Sequence, residues 1–158
     1  VPDSARSAID ARLRELGLTL PPASPPKGSY LPAVRAGNLV HVAGQVPMHD
    51  GELICHGRVG GGVTPARADE LCQRCVLAAL AAVDELTGLD ALVRVVKVVG
   101  YIACVDGYHD QASVLDGASE LLVALFGAAG RHARTAIGVA DLPSGAPVKL
   151  ELLVEVGG

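Results

Sequence analysis

Val148-Lys149-Leu150-Glu151-Leu152-Leu153-Val154-Glu155-Val156 is the stretch whose reading decides the fold. Val148, Leu150, Leu152, Val154 and Val156 are apolar, while Lys149, Glu151 and Glu155 hold positions between them. Successive side chains of a strand point to opposite faces, so this period of two describes a strand with one face in a core and a gently polar second face. Upstream, residues 135–140 read as another strand. Residues 93–105 are so rich in β-branched side chains, and so apolar, that they belong in the middle of a sheet.

Working outward, the period changes. Thr64 is a plausible N-cap with Pro65 at the first helical position, and Ala68, Leu71, Cys72, Cys75, Val76, Ala79, Leu80 and Val83 share one face before Gly88. This is the longest helix. A second helix is predicted from about residue 109 to 126, with Val114, Leu115, Ala118, Leu121, Leu122 and Leu125 as its stripe. Nearer the start, residues 33–35 and 39–43 flank Gly37-Asn38, which suits a tight hairpin turn, and a third strand is expected around 52–56 after His49-Asp50-Gly51. Residues 3–16 carry Ala5, Ile9, Leu13 and Leu16 at helical spacing, opened by Asp3 or Ser4 and closed by Gly17. Four prolines within residues 20–27 make the next stretch an extended connector. The order is β-β-β-α-β-α-β-β, an α+β pattern. We divide it into an N-terminal helix and Pro-rich arm, 1–25, and one domain, 26–158.

Composition narrows the function. A length of 158 residues fits one core. Half the residues are hydrophobic, yet there is no Trp and one Phe, so the core is aliphatic. A net charge of −4 with scattered Lys and Arg lacks the positive footprint that a phosphate backbone demands, and no nucleic-acid partner is expected. No apolar run approaches the roughly 18–20 residues that span a bilayer, and the first twenty residues mix charges with apolar positions. A cytoplasmic protein without a membrane partner is expected. Four cysteines do not form a disulfide framework in a chain of this length; Cys72 and Cys75 make a C-x-x-C in mid-helix, where packing explains them. The five histidines have no zinc-ligand spacing, so no metal is expected, and the glycines of 57–62 lack the Lys-Ser/Thr of a phosphate-binding loop. Two helices on one face of a sheet leave the other face needing cover, and self-association is the economical answer.

Four short motifs then stand in order. They are Gly28-Ser29-Tyr30 followed by Ala33-Val34; Val42-Ala43-Gly44-Gln45-Val46-Pro47; His132-Ala133-Arg134-Thr135; and Leu142-Pro143 followed by Val148-Lys149-Leu150-Glu151. Together, across residues 27–156, they resemble the Rid family, also called YjgF or L-PSP. The length, the N-terminal arm and Gly57-Arg58-Val59-Gly60 look most like its longer branch, similar to chorismate mutase. The resemblance implies a chorismate-mutase-like (bacillus-type) α+β fold, a mixed sheet with two helices packed on one face. It also implies a homotrimer with a ligand cleft at each subunit interface.

Members of this family hydrolyse reactive enamines or imines to a keto acid and ammonia without a cofactor. The resemblance implies that Arg134 grips the substrate carboxylate, as a planar fork is suited to do. It gives Glu151 the water-positioning or proton-transfer role and Tyr30 the closing of the pocket. Ala43 stands where the family has a serine, and Asp116 and Ser119 where it commonly has Asn and Tyr; a carboxylate at Asp116 facing the cleft would repel an anionic substrate. His132 lies close to the implied pocket. Two functions follow: a deaminase acting on a small carboxylate-bearing enamine or imine, or a trimeric module that binds such a metabolite without turnover. An endoribonuclease label, also carried by the family, is opposed by the acidic balance and the shortage of stacking aromatics.

Overall fold

The computed structural model describes the backbone of residues 2–158 and the side chains from Ala5 onward, so the Asp3 or Ser4 cap lies outside the described side chains. Helix α1 spans Pro2–Glu15. Strands β1 (Ala33–Ala36) and β2 (Leu39–Gln45) form the expected hairpin. Its two-residue turn pairs Ala36 with Leu39, and Gly37 has φ 64°, where a glycine carries no Cβ penalty. Helix α2 runs Pro65–Thr87; Thr64 Oγ1 accepts from Arg67 N at 3.2 Å and Gly88, φ 78°, ends it.

Strand β5 (Leu92–Ala103) is followed by α3 (Gln111–Val114), α4 (Asp116–Phe126), β6 (Ala133–Val139) and β7 (Val148–Val156). The five long strands form one sheet in the order β1-β2-β7-β5-β6, with β5 and β6 parallel and the other neighbours antiparallel. β5 is internal, as its apolar character requires. The alternation of β7 appears directly: Val148, Leu150, Leu152, Val154 and Val156 are buried, and Lys149, Glu151, Leu153 and Glu155 between them are half-buried. α2 lies against β1, β2 and β7, and α3 against β6, so the helices form one layer.

Three expectations change. The strand around 52–56 is only Glu52–Leu53, β4, paired with Met48–His49, β3, in a separate ribbon. Beyond it the backbone is drawn elsewhere: Gly57 N donates to Gly145 O at 3.1 Å, and Val59 N to Ala103 O at 2.8 Å. The second helix is broken at Leu115, whose side chain reaches down over Gly100 of β5. Third, the stretch Gln111–Gly130 is apolar and long enough by composition alone to cross a membrane. Its break and its buried stripe of Val114, Leu115, Ala118, Leu121, Leu122 and Leu125 make it a core helix here. α1 docks through buried Ile9 and Leu13, held by Arg6 on Asp84 and by Arg12 on the Leu125 carbonyl.

Candidate functional site

β6 is the last strand of the sheet, and its alternate residues face the helices. Val98 pairs with both Arg134 and Leu152, and Val98 and Leu152 are buried in the core, so Arg134 projects on the helix side. There its Nη1 donates to Asp116 Oδ1 at 2.9 Å and to Ser119 Oγ at 3.3 Å. Asp116 and Ser119 are three apart on α4 and therefore adjacent on its surface. Ser119 Oγ is also 2.9 Å from His132 Nε2, and His132 Nδ1 is 2.6 Å from Gly130 O. The Arg134 side chain is 26% exposed against 56% for Asp116, so the guanidinium is the anchored member and the carboxylate the outward one. Asp116 is thus not an isolated repelling charge; Arg134 compensates it.

Glu151 pairs with Val99, one residue beyond Val98, and so faces the uncovered side of the sheet. Tyr101 Oη donates to Glu151 Oε1 at 3.2 Å. Burial first, then the Glu151 charge and the hydrogen bond itself, push the Tyr101 phenol above its ordinary value, which keeps it a donor at neutral pH. Lys149 pairs with Tyr101, and its side chain crosses Gly44: a Cβ there would strike Lys149 Cε and lie 3.1 Å from Nζ. Ala43 sits beside Gly44 where the pairing of β2 with β7 is irregular, between Val42 and Gln45. The buried Gln45 amide folds back to donate to Ala43 O at 3.1 Å.

The structure therefore makes two polar groups from the predicted residues. Arg134, Asp116, Ser119 and His132 gather on the helix side of β6; Glu151 stands on the open face with Tyr101 and Lys149. Tyr30 is exposed and precedes β1, the opposite edge strand from β6. Four strand spacings of about 4.8 Å put roughly 19 Å between the β1 and β6 backbones. Tyr101 was not singled out from sequence, although its register opposite Lys149 and beside Glu151 is the signal that finds it. An open groove of about 580 Å³ lies elsewhere, between the β3–β4 ribbon and α2, bordered by His49, Glu52, Arg67 and Arg74, and holds none of these residues.

Cys72 and Cys75 are buried free thiols on α2. Burial, reinforced by Asp69, pushes Cys72 up to about 12, and burial pushes Cys75 well above its ordinary value, so neither is a reactive thiolate at neutral pH. Among the described residues no group of three or more His, Cys, Asp or Glu side chains is arranged to hold a metal ion.

The profile of a family described as "YjgF/chorismate_mutase-like, putative endoribonuclease" matches residues 10–155. The chain belongs to the Rid/YjgF family. A curated relative, Protein TCP17 of Trypanosoma cruzi, is 36% identical over 154 residues, covering 96% of both chains. Among solved structures, Atu1372 of Agrobacterium tumefaciens, described as of unknown function, is 39% identical with TM-score 0.91, covering 98% of this Rid/YjgF chain and 96% of its own. A "putative endoribonuclease" from Shewanella oneidensis is 28% identical with TM-score 0.90, covering 94% and 99%. A Rid-family protein of Yersinia pestis, 20% identical with TM-score 0.60 over 85% of this chain and 93% of its own, shares the fold.

Proposed function

We propose that this Rid/YjgF protein is a cofactor-independent hydrolase of the enamine/imine deaminase type, acting on a small carboxylate-bearing substrate in a cleft completed by neighbouring copies of a homotrimer. The observation that carries the reading is Arg134: it occupies the family's Arg-containing motif at the start of β6, and its guanidinium is held ready by Asp116 and Ser119 instead of trailing into solvent. A preorganised fork binds a carboxylate with little loss of side-chain freedom. Glu151, supported by Tyr101, is the group for water positioning or proton transfer. A shared cleft is supported by the positions of Tyr30 and Arg134 at opposite sheet edges, with helices between them on the Arg134 side.

The test is release of ammonia and keto acid from enamines generated in situ from serine and other amino acids at near-neutral pH. Wild type should accelerate it, and Glu151→Gln and Arg134→Ala should each lose about a hundredfold or more, the range in which general acid–base groups act. No acceleration with any side chain would remove the deaminase. A second reading, a trimeric carboxylate-binding module without turnover, is favoured by the separation of Arg134 from Glu151 by the sheet of one copy and by Ala43, which carries no hydroxyl. Under it Glu151→Gln leaves ligand affinity intact. The endoribonuclease label of some neighbours receives no support from the −4 net charge and the scarcity of aromatics.

A further inference from the structure

Resting on the reading that Arg134 grips a carboxylate, we infer that this site selects ligands that carry a protonated nitrogen on the carbon beside that carboxylate, with Asp116 and Ser119 as the residues that recognise the nitrogen. The argument starts at His132. Its Nδ1 lies 2.6 Å from Gly130 O, and a carbonyl oxygen only accepts, so Nδ1 carries a hydrogen, and the tautomer with one ring hydrogen leaves Nε2 as the acceptor. The lone pair of Nε2 then receives the hydroxyl hydrogen of Ser119 at 2.9 Å. Arg134 has no acceptor, so its 3.3 Å contact with Ser119 Oγ is a donation to that oxygen. With its hydrogen committed to His132, Ser119 offers a ligand lone pairs only.

Asp116 is likewise an acceptor without a hydrogen to give. One oxygen takes the Arg134 hydrogen at 2.9 Å, and the carboxylate is more than half exposed. A ligand beside Arg134 therefore meets a cationic donor fork flanked by two acceptors. A 2-iminium or 2-ammonium acid fits both halves: its carboxylate takes the guanidinium, and its N–H groups take Asp116 and Ser119. The same skeleton as a 2-keto acid turns a carbonyl oxygen toward two acceptors, with no hydrogen available between them. Acceptors left unpaired by a ligand disfavour it, which is the usual source of sharp discrimination by hydrogen-bonding sites. Substrate and product of an imine hydrolysis differ at that one atom, so the same pair that admits the imine favours release of the keto acid.

The experiment is a calorimetric or NMR titration at neutral pH with alanine, pyruvate and propionate, which share a skeleton and differ at carbon 2. Wild type should bind alanine about tenfold or more tightly than either of the others, as a hydrogen bond to a charged group implies. Asp116→Asn should erase that preference, Ser119→Ala should reduce it, and Asp116→Glu should keep part of it, each with unchanged circular dichroism and native mass. Equal affinity for pyruvate and alanine in wild type, a preference that survives both Asp116→Asn and Ser119→Ala, or no binding by any of the three, overturns the inference. The outcome separates it from the deaminase itself: an Asp116-dependent preference without turnover removes the enzyme and keeps the site, whereas turnover without nitrogen preference does the reverse.

Discussion

Gly44 and Gly100 lie two strands apart in one sheet, and they differ in what a single methyl group would meet. At Gly44 the obstacle is the far end of the flexible Lys149 side chain, which can swing away. At Gly100 it is the Leu115 side chain, fully buried, whose Cγ would be 2.8 Å from the new carbon with both methyls closer still. Overpacking of a filled core costs about 1–3 kcal/mol, so Gly100→Ala should destabilise by that amount, while Gly44→Ala should cost less than about 1 kcal/mol. Urea denaturation measures both, and similar losses for the two variants would contradict the packing described. The same contrast shows what the sequence discloses at this scale. Leu115 and the glycines are ordinary members of apolar stripes when read in a line, and only register brings Leu115 over Gly100 and Lys149 over Gly44. Arg134 is legible through a motif that carries its residue's place with it, and Asp116 and Ser119 only through the family helix positions they align with. The Tyr101–Glu151 bond belongs to no motif, since its partners are fifty residues apart and meet only through the pairing of β5 with β7.

At the scale of elements, the joint between α3 and α4 is the feature that most needs explanation. Leu115 ends one helix and caps the next without a side-chain hydrogen bond of its own, so the first amides of α4 need an outside acceptor. Asp69 supplies it from α2: its Oδ1 accepts from Gly117 N at 2.6 Å, and its other oxygen is 3.5 Å from Gln73 Nε2. A negative charge at a helix N-terminus is also favoured by the peptide dipoles there. Asp69→Ala should therefore cost about 1–3 kcal/mol, the penalty for stranding a part-buried donor. Hydrogen exchange should quicken in the first turn of α4 before it quickens in α2; uniform acceleration across both helices would instead mean that Asp69 supports α2 alone. α2 and β7 were legible because each carries a long, unbroken period, with Thr64-Pro65 and Gly88 punctuating α2, whereas β5 was legible from its β-branched content and the β1–β2 hairpin from its turn. The break at Leu115 was not, because the apolar stripe continues through it, and its cause sits on another helix. The short β3–β4 ribbon escaped for the opposite reason, having too few residues to show a period at all.

For the whole molecule, the question is how residues on opposite edges and faces of one sheet could serve one ligand. In a single copy, Arg134 lies behind β6 against α4, while Tyr30 stands beyond β1, with α2 packed over β1, β2 and β7 on the same side. The open face carries half-buried Lys149, Glu151 and Leu153 and exposed Ile137 and Val93, a mixture of apolar and polar groups suited to a neighbour with the same surface. If the proposed cleft joins Tyr30 of one copy to Arg134 of the next, defects in the two residues must complement each other. Arg134→Ala and Tyr30→Ala chains, each inactive alone, should regain activity when unfolded together and reassembled. In an equal random mixture, a site needs an intact Tyr30 on one side and an intact Arg134 on the other, so about a quarter of the sites recover in a closed ring of identical interfaces. Recovery of about a quarter of the wild-type deaminase rate establishes a shared site. Complete absence of recovery, with mixed oligomers demonstrated by mass, would place both residues in one copy's own site and require the Tyr30 arm to cross the sheet. A native mass of one chain with full activity would remove the shared cleft altogether, because no second copy would remain to supply the missing side.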